Sequence, residues 1–165
     1  MKNLFFIGGP MGVGKSAVSR ELQRVLPDCA LLDGDNLWDM RPFVVNEDTK
    51  ACVLANIIAC LNNFLACPQF KNIIFCWVMH EQSIIDGIVS QLDLNGARLI
   101  SLSLICKKRT LLKRLSRDIR RGARKEDVKE RAINYLPLYA GLSTAKVETD
   151  GLTPAEIAQI ISDLC

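Results

Sequence analysis

The sequence predicts an α/β fold, a parallel sheet of five strands with helices on both faces, and three observations predict it. Apolar runs of strand length alternate with segments of helical spacing along the chain, the pattern of strands joined through crossover helices. The run Asn72 to Met79 is almost wholly apolar, as a central parallel strand covered on both faces requires. The stretch Gly9-Pro10-Met11-Gly12-Val13-Gly14-Lys15-Ser16 fits the spacing G-x-x-x-x-G-K-[ST] without a gap, between a strand-like run and a helix-like one.

Each element has its own signal. Asn3 to Ile7 is an apolar run of strand length, and Ala17 to Leu26 carries helical spacing through Val18, Leu22, Val25 and Leu26. Cys29 to Leu32 is a short second strand that meets Asp33-Gly34-Asp35-Asn36. A helix is expected from Asn46 to Cys67, its apolar side formed by Val53, Leu54, Ile57, Ile58, Leu61, Phe64 and Leu65, with Asn46-Glu47-Asp48 as start signal and Pro68 as stop. After the third strand, a helix from about Ser83 to Leu92 leads through Asn95-Gly96 to a fourth strand, Arg98 to Leu104. Lys107 to Ile119 has helical spacing through Leu111, Leu112 and Leu115, and a further helix runs from Glu126 to an interruption at Pro137. Ala145 to Thr149 is the fifth strand. Thr153 caps the last helix with Pro154 at its first position, and Ile157, Ile160, Ile161 and Leu164 are its expected buried face.

Length and composition bound the function. A chain of 165 residues, nearly half apolar and about a quarter charged, is expected to form one globular domain spanning residues 1–165. The first strand begins almost at once, without a basic-then-apolar leader, and no apolar run approaches the roughly 18 residues of a membrane helix, so a cytoplasmic protein without membrane partners is expected. Seven cysteines, odd in number and without a C-x-x-C pair, are expected to be buried reduced thiols. Between Lys107 and Arg131 there are twelve Lys or Arg against four acids, so positive charge is local. No aromatic interrupts that cluster, which disfavours stacking on nucleic-acid bases and favours polyphosphate.

The Gly9 to Ser16 stretch reads as a phosphate-binding loop. Glycines at 9, 12 and 14 allow a tight concavity whose N–H groups, from Gly9 through Val13 to Ala17, converge on an anion at a helix N-terminus. Lys15 then reaches the β- and γ-phosphates, and the Ser16 hydroxyl ligates Mg²⁺. The plainer reading is a glycine-rich surface turn, which does not require a flanking strand and amphipathic helix.

Further candidates cluster at strand ends, where open parallel sheets bind ligands. Alternation along an extended chain places Asp33 and Asp35 on the same side, Asp33 for the metal and Asp35 to orient or deprotonate an attacking hydroxyl. The competing reading is an Asx turn that caps the next helix. Trp38 and Phe43 are read as pocket walls and Arg41 as an anion clamp, or equally as packing residues with a surface arginine. His80, the lone histidine, is read as an acceptor-binding or proton-transfer group, against a structural histidine. Glu81 or Asp33 is expected to stand in for a strand-end Asp on the metal. Arg117, Arg121 and Arg124 surround Gly122 and are read as catalytic arginines on a mobile lid, with Arg120 facing away; a basic helix end is the alternative.

The loop, the Leu32-Asp33-Gly34-Asp35-Asn36 stretch, the Arg117 to Arg124 segment and the Thr149-Asp150-Gly151-Leu152-Thr153 ending together resemble the small-molecule and nucleotide kinases of the P-loop class: adenylate, shikimate, gluconate and adenylylsulfate kinases and chloramphenicol phosphotransferase. The resemblance covers essentially the whole chain. It implies a three-layer P-loop NTPase fold with strand order 2-3-1-4-5, an acceptor-binding segment about 36–67 and a short Arg-rich lid about 117–126. It implies transfer of the γ-phosphate of Mg-ATP to a hydroxyl of a small molecule or nucleotide, by a monomer or homodimer. The Leu-Asp-Gly-Asp-Asn wording is especially similar to adenylylsulfate kinases, but residues 38–67 match none of the named acceptors. Two other classes compete. A nucleotide-dependent switch lacks support from an N-K-x-D guanine motif, and a nucleic-acid ATPase would bind with steep salt dependence.

Overall fold

A computed structural model describes residues 1–164; Cys165 lies outside the described residues. Strands β1 (Asn3–Gly8), β2 (Cys29–Asp33), β3 (Asn72–Cys76), β4 (Arg98–Ile105) and β5 (Ala145–Glu148) form one sheet in the order β2-β3-β1-β4-β5, every neighbouring pair parallel. The helices are α1 (Lys15–Val25), α2 (Glu47–Ala66), α3 (Gln82–Val89), α4 (Lys108–Arg120), α5 (Val128–Tyr135) and α6 (Pro154–Ser162). This is the P-loop NTPase sheet order that the resemblance implied.

β1 occupies the centre, with Phe5 opposite Ile74 of β3 and Ile100 of β4. Strand alternation sends Phe5 and Ile7 to one face, against α1, α4 and α6, and Leu4 and Phe6 to the other, against α2 and α3. All four side chains are fully buried. Each contributes about 1.5–3 kcal/mol by leaving water, so β1 is a firm base for the loop at its C-terminal end.

Helix ends follow their caps. Asn46 and Thr49 form a capping box at α2, and Thr153 and Glu156 form another at α6. α2 is, among the described residues, the helix long and apolar enough by composition to cross a membrane, which the count of uninterrupted apolar residues did not anticipate. Its Val53, Ile57, Leu61 and Leu65 stripe is buried in the core beside β3, and 22% of its most apolar window is buried.

Three expectations change in detail. β3 stops at Cys76; the Trp77 N–H still donates to the Ile7 carbonyl of β1 at 3.2 Å, but beyond it Met79 is buried on the α2 side, and the Trp77 ring lies so close to Gly34 that a Cβ there would be 2.8 Å from it. Extended backbone ends at Asp33, where a 3₁₀ turn over Gly34–Trp38 begins, so strand alternation does not relate Asp33 to Asp35. In α6 the buried residues are Ile157, Ala158 and Ile161, while Ile160 and Leu164 are exposed; Val25 at the end of α1 is exposed too. A helix that packs on one side hides a narrow stripe, and apolar residues off that stripe face water.

Candidate functional site

The loop between β1 and α1 is shaped by its glycines in two different ways. Gly12 adopts φ 82, and a Cβ there would lie 2.5 Å from Leu115 Cδ2 on α4. Gly14 adopts φ 112 with open space around it, so its requirement is dihedral alone. Gly9 is buried against Leu104 of β4. The Val13 N–H turns inward to the Pro10 carbonyl at 3.3 Å, closing the loop on itself.

Lys15 is the buried charge of this loop. Its Nζ donates to the carbonyls of Gly9 at 2.9 Å and Pro10 at 3.1 Å. Burial pushes its pKa down to about 8, with Asp35 opposing the shift. A cation short of counter-charge at a concave glycine loop is a receptor for an anion. One residue on, Ser16 Oγ donates to Asp33 Oδ2 at 2.5 Å, while Asp33 Oδ1 accepts the Asp35 N–H at 3.1 Å. Asp33 therefore does cap the following turn, and it also faces the loop.

α4 is pinned to the loop from behind. Arg114 donates through Nη1 to the Val13 carbonyl and the Thr149 hydroxyl, each at 2.8 Å, and through Nη2 to the Thr149 carbonyl at 2.9 Å. Asp150 accepts the Lys107 N–H at 2.8 Å and the Thr110 hydroxyl, serving the otherwise uncapped N-terminus of α4. The Thr110 hydroxyl, with the Lys107 backbone, holds the Asp150 carboxyl below its ordinary range.

Two clefts open above the sheet edge. The first, about 560 Å³, is lined by residues 12–18 of the loop and α1, by Arg114, Arg117, Asp118 and Arg124, and by Leu152, Thr153, Pro154 and Ile157. The second, about 830 Å³, is lined by Trp38, Phe43, Trp77, His80, Tyr135 and their neighbours. Asp35 and Arg124 belong to both. Asp118 lies between two arginines, 3.6 Å from Arg124 Nε and 4.0 Å from Arg117 Nε.

The predicted residues thus separate. Gly12, Val13, Gly14, Lys15, Ser16, Ala17, Arg117 and Arg124 come together at the first cleft, and Trp38 and His80 at the second, joined by Asp35. Arg121, at the exposed C-terminal end of α4, and Arg41, also exposed, line neither. Gly9 lies beneath the cleft, and Asp33 reaches it through Ser16. Glu81 is an exposed residue at the start of α3, 3.5 Å from His80 Nε2. The His80 ring stacks on Tyr135, centroids 4.0 Å apart and planes 7° apart.

A family model described as AAA domain matches residues 6–134. The chain belongs to that family. Among solved structures this AAA domain chain is similar to the Deinococcus radiodurans tunicamycin resistance protein, with TM-score 0.71, 19% identity, and coverage of 99% of this chain and 95% of that one. It is similar to Acinetobacter baumannii shikimate kinase in complex with shikimate, with TM-score 0.67, 22% identity and coverage of 99% and 92%. It is also similar to the Mycobacterium tuberculosis APS kinase in complex with AMPPNP and APS, with TM-score 0.66, 15% identity and coverage of 99% and 96%. These likenesses establish a P-loop kinase-like fold. No curated protein matches the chain in sequence.

Several site residues of this AAA domain chain escaped the sequence reading. Arg114 follows Leu111 by three positions and precedes Leu115 by one, so the helical stripe itself brings it to the core edge. Thr149 and Asp150 belong to the ending that carried the resemblance, but their contacts with Arg114 and Lys107 did not follow from it, since these partners lie 35 to 43 residues away in sequence. Trp77 reads as part of an apolar strand, and it lines the second cleft just past the end of β3.

Proposed function

We propose that the protein is an ATP-dependent phosphotransferase that moves the γ-phosphate of Mg-ATP to a hydroxyl of a small molecule. The observation that carries this reading is the pair of clefts meeting at Asp35 and Arg124. A donor in one and an acceptor in the other would react where both residues reach.

Gly12, Gly14 and Lys15 hold the phosphates of ATP, and Leu152, Pro154 and Ile157 offer an apolar seat for its base. Ser16 and Asp33 fit Mg²⁺, being hard oxygen donors 2.5 Å apart at the loop. Among the described residues no three His, Cys, Asp or Glu side chains cluster as a metal cage, so the remaining ligands would be phosphate and water oxygens. Bound there, Mg²⁺ would supply neutralisation of the β- and γ-phosphate charge. Asp35 accepts the hydrogen of the acceptor hydroxyl. The hydroxyl oxygen then bonds to the γ-phosphorus as its bond to the β-bridging oxygen breaks, ADP leaves, and the proton passes to Asp35 and on to solvent. Arg117 and Arg124, released from Asp118, steady the charge of the transferring group. Arg121 joins them if the segment 117–126 closes as a lid.

In this reading residues 1–165 act as one unit, with 36–67 as acceptor segment, functioning as a monomer or homodimer in the cytoplasm. Burial pushes the thiols of Cys29 and Cys76 up to about 12, which supports reduced, structural roles for them, but the expected burial of every cysteine does not hold: among the described cysteines only Cys76 and Cys106 are buried and Cys52 is exposed. The test is transfer of label from γ-labelled ATP to a pooled set of hydroxylated small molecules, read by mass spectrometry. Activity should disappear in Lys15→Ala, and unchanged ATP affinity and turnover in that variant would remove the loop from the mechanism.

A further inference from the structure

Resting on that phosphotransfer reading, we propose that the acceptor is an alcohol with an aromatic, apolar body, held by the second cleft and its side branch, and not a polyol, sugar acid or nucleoside. The walls of the cleft argue for it. The His80 and Tyr135 rings are stacked face to face in the wall. Trp38 and Phe43 stand as a tilted aromatic pair with centroids 6.3 Å apart, and Trp77 and Ile84 complete an apolar enclosure. At the mouth, Phe43 is 67% exposed and Val45 55% exposed, so large apolar groups stand in water where an apolar ligand would cover them.

The polar groups argue the same way. Selection of a polyol needs many free hydrogen-bonding partners, one or more for each hydroxyl. Neutral polar side chains are few: Asn36 lines the second cleft beside His80 and Tyr135, and Ser83 in the branch already donates to Glu81 at 3.3 Å. Of the cleft's cations, Lys50 pairs with Glu47 at 2.9 Å and Arg131 with Asp127 at 3.2 Å, carboxylates outside the lining, while Arg124 is the one assigned to the transferring phosphate. Asp35, the carboxylate shared with the first cleft, is free of ion pairs among the described residues and suits the reacting hydroxyl, whereas Asp39, also without an ion pair there, lines the second cleft alone.

The body has room beyond the junction. A further cavity of about 340 Å³ shares Trp38, Lys50, Trp77 and Ile84 with the second cleft and continues to Leu54 and Gly87, between α2 and α3. The two tryptophans flank the passage, and an arylalkyl chain would lie along them with its ring in the branch.

Both tryptophans of the chain line this cleft, so their emission reports on its occupancy without any turnover. Titrating the full-length protein with phenylalkanols from benzyl alcohol to 4-phenylbutanol should give saturable emission changes whose Kd tightens about fourfold per methylene. Sorbitol, gluconate and adenosine should leave emission unchanged at the same concentrations. Gly87→Leu should fold, since a Cβ at Gly87 meets open space and a helix prefers Leu to Gly. It should abolish the advantage of the longer alcohols. Saturation by a polyol, sugar acid or nucleoside, no response to phenylalkanols, or an undiminished chain-length advantage in Gly87→Leu would overturn the proposal. Transfer is measured separately with γ-labelled ATP: emission saturation by phenylalkanols without transfer supports this acceptor cleft while counting against phosphotransfer.

Discussion

The guanidinium of Arg114 grips Thr149 twice, through its hydroxyl at 2.8 Å and its carbonyl at 2.9 Å, and reaches the Val13 carbonyl from the same side. One side chain on α4 therefore ties the loop to the end of β5. Thr149 is fully buried, so removing the donor leaves acceptors that water cannot reach. Arg114→Leu should lower unfolding free energy by about 2 kcal/mol and weaken ATP binding. Urea unfolding and nucleotide titration check this, and Arg114→Lys should recover only part of either, because an ammonium lacks the fork.

Lys15 should reveal itself through protons. Free, its pKa is lowered to about 8 by burial, so at pH 8.5 most of the population is neutral. A bound polyphosphate favours the charged form and raises that pKa. ATP binding at pH 8.5 should then take up to about one proton, an uptake that Lys15→Ala lacks. Calorimetry in buffers of different ionisation enthalpy measures it. The same shift fixes a stability trend: the unfolded chain holds the proton up to its ordinary pKa of 10.5 and the folded one only up to about 8, so this residue makes the protein more stable as pH rises between them.

Asp35→Asn should keep ATP affinity and reduce phosphate transfer by roughly 10² to 10⁴, the scale of acid–base assistance. Single-turnover assays beside nucleotide titration separate the two effects. Full transfer in this variant would remove Asp35 from the mechanism.

The loop glycines should rank by their surroundings. Gly12→Ala adds a Cβ 2.5 Å from Leu115 Cδ2 to its dihedral strain, whereas Gly14→Ala carries dihedral strain alone. Gly12→Ala should therefore be the more destabilised, and Leu115→Ala in the same chain should relieve part of its penalty. Chemical denaturation of the two single variants and the double one tests this ranking.

The fold was legible because its signals are local. The Gly9 to Ser16 spacing, the apolar run of β3 and the Thr153-Pro154 start of α6 each lie within a few neighbouring residues. Strand order is not local, and it came only with the family resemblance. At the site, the loop was legible as a motif and the arginines as a basic run, from which Arg114 was not singled out because its purpose depends on Thr149. Asp33 reads as metal ligand or cap, and the structure shows the cap through Oδ1 while Oδ2 accepts from Ser16. Arg121 and Arg41 looked equivalent to their neighbours by charge, and only their exposed positions, Arg121 at the end of α4 and Arg41 between the cleft-lining Asp39 and Phe43, set them apart from the clefts.

The split bonding of Asp33 has a thermodynamic consequence. Oδ1 fixes the Asp35 backbone while Oδ2 alone meets Ser16. A ligand arriving at Ser16 rearranges one oxygen and leaves the other as it was. The turn bearing Asp35 is thus ordered during folding, and its conformational entropy is absent from the cost of every later binding event.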